Sequence, residues 1–141
     1  MGGVGVAAEY AAPLPTDPES DEIKVRTVER KSGHWYVRLV DLNISIECPS
    51  GRTNFVLLDT DDVLPREIPI RRSRFRGVLR QVEFELEPFM ASGTFVLSGR
   101  FGPQRGKRAF RKLRGSISTR TVGEGGTVCR GDARFTASRV G

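Results

Sequence analysis

The chain has 141 residues, 38% of them hydrophobic, and carries a net charge of +6 at neutral pH. That length and apolar content suit one folded domain with its own core and exclude a disordered chain. No run of about 18 apolar residues is present to make a membrane-spanning helix.

The charge is unevenly spread. Residues 1–67 carry 7 basic and 12 acidic side chains, whereas residues 68–141 carry 16 basic and 5 acidic, and 19 of the 23 basic residues are Arg. A basic half of this kind points to a polyanionic partner such as nucleic acid, anionic polysaccharide or a phospholipid surface. An arginine bias imposed by a GC-rich genome on every exposed position gives the same count with no partner.

Residues 1–22 combine Pro13, Pro15 and Pro18 with Asp17, Glu19, Asp21 and Glu22. Such a mixture breaks helices and keeps a chain solvated, and it predicts a flexible leader ahead of an all-β domain over 23–141. The first ten residues lack a basic n-region, and Glu9 interrupts their weak apolar run, so no export signal is visible. The small residues Ala7, Ala8, Ala11 and Ala12 nonetheless resemble those around a cleavage site.

Period-two patterns dominate from Ile23 onward. Trp35, Val37 and Leu39 share one phase; Leu42, Ile44, Ile46 and Cys48 share the other, so the switch at Val40-Asp41 predicts a bulge or bend. Cys48-Pro49-Ser50-Gly51 is a turn, followed by a strand from Asn54 to Leu58. Ile68-Pro69-Ile70 reads as a short edge segment, because proline cannot donate to a central ladder. Phe75, Gly77 and Leu79 alternate with arginines, and Val82, Phe84 and Leu86 alternate with Glu83, Glu85 and Glu87. Phe95, Leu97 and Gly99 form the next inward row, then Leu113, Gly115 and Ile117, and finally Ala133, Phe135 and Ala137. About nine short strands separated by turn signals predict an antiparallel β-sandwich or a flattened barrel.

No catalytic constellation emerges, and we expect a protein that is not an enzyme, with no cofactor and no metal. His34 is the single histidine, without a GxSxG elbow or a partner that spacing can nominate. Asp59, Asp61 and Asp62 are oxygen-rich but lack the glycine and distal glutamate of an EF-hand loop. Arg130-Gly131-Asp132 spells an integrin-type tripeptide, a three-residue match of little weight. Cys48 and Cys129 lack the spacing of a redox pair or a zinc site and each adjoins a turn. They read as a disulfide, with two buried thiols of a cytosolic protein as the alternative.

The basic residues are the best candidates for a site. Arg72, Arg74, Arg76 and Arg80 fall on the phase opposite Phe75 and Leu79; Arg105, Lys107, Arg108, Arg111, Lys112 and Arg114 crowd one connection and strand. If the two strands are neighbours, their side chains form a stripe suited to phosphate or sulfate groups. Phe75, Phe84, Phe95 and Phe135 all take the buried phase, which argues against stacking on single-stranded nucleic acid.

The turn Cys48-Pro49-Ser50-Gly51, then Ile68-Pro69-Ile70, Ser98-Gly99-Arg100-Phe101, Leu113-Arg114-Gly115-Ser116 and Cys129-Arg130-Gly131 before Phe135-Thr136-Ala137 together resemble a class of uncharacterised β domains in actinobacterial-type secreted proteins. The resemblance spans residues 34–139. It implies a β-sandwich with Cys48 joined to Cys129 and with glycines where sheets pack closely, and it brings no activity. The leading expectation is therefore a non-catalytic extracytoplasmic binding or structural module; the alternative is a cytosolic polyanion-binding module that uses the basic second half.

Overall fold

A computed structural model describes residues 7–51, 53–59, 63–86, 89–102 and 110–140. Among them there is no α-helix, and nine strands join in one antiparallel sheet, as the alternation predicts. The strands are β1 (Glu9–Pro13), β2 (Glu22–Glu29), β3 (Trp35–Glu47), β4 (Thr53–Asp59), β5 (Ile68–Pro69), β6 (Arg74–Leu86), β7 (Phe89–Phe101), β8 (Lys112–Gly123) and β9 (Val128–Val140). Their spatial order is β4-β3-β2-β1-β9-β8-β7-β6, with β5 against β3.

The strands are longer than the expected short ones: β3, β6, β7 and β9 each run for 13 residues. Interruptions in the pattern lie inside continuous strands. Lys24 pairs with Asp41 and Val25 with Leu39, which leaves Val40 as an extra residue in β3. This is the predicted phase switch, and it lets Leu39 and Leu42 both face the core. A second register shift falls between Gln81 and Phe84 in β6.

The expected leader needs correcting. From Glu9 onward it belongs to the sheet, with β1 hydrogen-bonded between β2 and β9. Tyr10, Ala12 and Leu14 are buried at period two, and Pro13 and Pro15 fall at the end of the strand and in the turn after it, where their missing N–H groups break no ladder. The turn is fastened to β3: buried Asp21 Oδ2 accepts bonds from Thr16 Oγ1 at 2.6 Å and from the Ser45 backbone N–H at 2.7 Å. Residues 1–6 lie outside the described residues.

Two ties bend the sheet back on itself without closing a clean barrel. At one, β3 runs past the short β1 and β2 and meets β9 directly, with Glu47 opposite Arg130. Beside that pair Cys48 and Cys129 form a disulfide with Cα atoms 4.2 Å apart. A Cβ on Gly131 would stand 2.6 Å from the Ser45 carbonyl oxygen, so only glycine lets β9 cross there. At the other tie, the segment leading to β6 pairs with β3 through Ile68 and Pro69, and with β6 through Leu64–Arg80 and Arg71–Arg74 bridges.

The core is continuous, and one end is aromatic. Phe101 packs edge-on to Tyr10 at 5.2 Å and lies 5.8 Å from Phe75 and 5.6 Å from Phe110. The buried Tyr10 hydroxyl donates to the Phe110 carbonyl at 2.6 Å, which holds the chain entering β8 against β1.

Two measurements test these ties. The disulfide encloses a sequence separation of 81 residues, and loop closure on that scale constrains the unfolded chain by about 4 kcal/mol. A Cys48→Ser, Cys129→Ser variant should lose most of this in urea unfolding under oxidising conditions; no loss would contradict the bond. Burial pushes the Tyr10 phenol up to about 12 from 10.0. Between these values the unfolded chain ionises and the folded one does not. Stability from Tyr10 is therefore full below about pH 10 and drains away as pH rises to about 12. Tyr10→Phe should show a smaller alkaline shift in urea midpoint than the unaltered protein.

Candidate anion-binding face

In β6 to β9 one set of residues faces the core and the alternate set faces out. The inward row Phe75–Gly99–Gly115–Phe135 is in register across all four strands. The two phenyl rings lie under the two glycines: a Cβ at Gly99 would stand 2.7 Å from Phe75 Cζ, and one at Gly115 would stand 2.6 Å from Phe135 Cζ. Rings at the ends of the row thus cover the bare backbone in its middle.

The alternate residues place the arginines outside. Arg74, Arg100 and Arg114 lie directly opposite one another on β6, β7 and β8, with Thr136 next on β9. The neighbouring outward row is Arg76, Ser98, Ser116 and Arg134. The serine hydroxyls bond each other at 3.0 Å across the β7–β8 pair. Two short side chains flanked by long ones leave an open hollow of about 850 Å³, lined by Arg71, Arg74, Arg76, Arg100, Arg114 and Arg134 and floored by Ser98 and Ser116. All six arginines are exposed.

Among the described residues no carboxylate lines this hollow. The salt bridges Arg26–Glu9 and Arg30–Glu67 lie in other parts of the fold. Asp132 stands one row further along and accepts a bond from Ser118 Oγ at 2.5 Å. Guanidinium groups keep their proton at any physiological pH, so this arrangement suits holding anions and not moving protons.

The predicted stripe is only partly what forms. Arg74, Arg76 and Arg114 line the hollow, but β6 and β8 are not neighbours. Strand β7 runs between them and supplies Arg100 and Ser98, and β9 adds Arg134. These were missed because their polar phase is legible in each strand, whereas the register that aligns them is not. Arg72 sits in the β5–β6 turn, and Arg111 and Lys112 lie at the start of β8; none of the three lines the hollow. Arg105, Lys107 and Arg108 lie outside the described residues, as do Asp61 and Asp62. His34 is exposed just before β3. Arg130-Gly131-Asp132 is mid-strand with Gly131 buried, not a loop tip.

No protein-family model matches the chain, and no curated protein is similar to it. No helix among the described residues is long and apolar enough to cross a membrane.

One end of the hollow carries backbone strain. Arg71 and Arg74 exchange backbone hydrogen bonds at 2.8 and 3.0 Å around a two-residue turn, with φ of 52° at Arg72 and 63° at Ser73. Both central residues are left-handed, as in a type I′ turn, where Asn-Gly is favoured. An Arg72→Asn, Ser73→Gly variant should gain about 1 kcal/mol in thermal or urea unfolding. A loss of stability would show that side chains in the turn contribute more than its backbone costs.

Proposed function

We infer that the chain is a non-catalytic binding module of an oxidising, extracytoplasmic compartment, and that it holds a polyanion on the outward face of β6 to β9. The observation that carries this reading is the row Arg74–Arg100–Arg114, three cations directly opposite one another on hydrogen-bonded strands. Like charges in that relation oppose folding. A bound anion removes the repulsion and turns the same guanidiniums into charge-assisted donors.

Compartment is argued from the disulfide, because such bonds persist where the surroundings are oxidising. A cytosolic nucleic-acid binder would draw on the same arginines. It gains less from this face, since Phe75, Phe95 and Phe135 are buried and offer no ring for a base to stack on.

Binding to fluorescent heparin should weaken steeply as salt rises, because each neutralised anionic group releases counterions. Replacing Arg74, Arg100 and Arg114 together by Ser should lower the slope of log affinity against log salt by about 2 to 3. Affinity indifferent to ionic strength, or no binding at low salt, would dispose of the polyanion reading.

A further inference from the structure

The arginines of this face fall into two ranks. Beyond the hollow, the outward row Arg80, Thr94, Arg120 and Arg130 is again in register across β6 to β9. Its three arginines are exposed. Arg80 follows Arg76 by four positions along β6, about 13 Å, and Arg120 follows Arg114 by six along β8, about 20 Å. Arg76 and Arg134, in the row of Ser98 and Ser116, belong to the first rank, and the next row, Val78, Val96, Ser118 and Asp132, separates the ranks with no cation in it.

A single phosphate or sulfate ion reaches one rank only. An extended chain lying along the strands reaches both, and the second contact is then made at the high local concentration set by the first. Resting on the polyanion reading above, we propose that the ligand is a linear glycan bearing sulfate or phosphate groups, laid along β6 to β9 so that the arginines of the hollow grip one part of it and Arg80, Arg120 and Arg130 another. The rows beneath its path offer Arg, Ser, Thr, Val and Asp. Those groups serve anionic substituents and sugar hydroxyls, and no aromatic ring stands among them for a base. Asp132 beside the path disfavours an anionic group over the spacer row, so the grip suits a chain with its charge held apart.

Heparin oligosaccharides of two lengths test this, one too short to span the about 13 Å between the nearest arginines of the two ranks and one long enough for about 20 Å. The long chain should bind at least about tenfold more tightly than the short one. An Arg80→Ser, Arg120→Ser, Arg130→Ser variant should lose that gain while its affinity for the short chain changes less than about twofold. Asp132→Asn should tighten the long chain and leave the short one unchanged. Equal affinity for the two lengths, or a long-chain affinity indifferent to the triple variant, would overturn two-rank binding and leave the polyanion reading standing. Single-stranded DNA of the longer span binding more tightly than the long heparin chain at the same salt would overturn the glycan. Failure of both heparin lengths to bind at low salt would overturn the polyanion reading and this inference with it.

Discussion

The register of β6 to β9 is the constraint on which the rest depends. Side chains alternate along a strand, so a slip of one residue exchanges the two faces completely. Here such a slip would carry arginines such as Arg100 and Arg114 toward the core and expose Leu97, Phe101 and Leu113, all now buried. Burying unpaired guanidiniums costs far more than any gain from alternative packing. The glycine row adds a steric lock: Phe75 and Phe135 fit only beneath Gly99 and Gly115, since a Cβ at either would meet a ring at under 3 Å. The same register therefore assembles the aromatic end of the core and sets three arginines abreast outside.

A registered sheet of this size still needs its far half held in place. That half, β1 to β4, is tied to β9 at both ends of the strand. β1 pairs with its last residues, Ser138 to Val140, and β3 meets its beginning at Arg130. The disulfide stands at the second of these ties, where Gly131 allows the close crossing. Strand β9 thus carries part of the arginine face and also anchors the acidic half of the chain.

Alternation in the sequence made most of this legible. The all-β class, the bulge at Val40 and the turn after Cys48 all follow from period-two patterns and turn residues. The first strand did not, because Pro13, Pro15 and Pro18 dominate a segment whose apolar signal is only Tyr10, Ala12 and Leu14. Proline excludes helix and central ladder but not the end of a short strand, and three inward residues are too few to stand out. The arginine face was half legible for a different reason. Arg74, Arg76 and Arg114 show their outward phase locally, but which strands adjoin is a property of topology. Arg100 and Arg134 join the site through pairings 14 to 26 residues apart along the chain, and no local pattern carries that information.

The arrangement also bears on the compositional reading of the basic half. Arginine can settle beside a carboxylate that neutralises it, as Arg26 does beside Glu9 and Arg30 beside Glu67. On β6 to β8 the outward positions instead set Arg74, Arg100 and Arg114 directly opposite one another, with Ser98 and Ser116 in the next row. Each of those positions is exposed and would accept a neutral residue at little cost to packing. A fold that keeps mutually repelling cations on directly paired strands, beside small hydroxyls, carries a self-repulsion. Polyanion binding as proposed would relieve that repulsion.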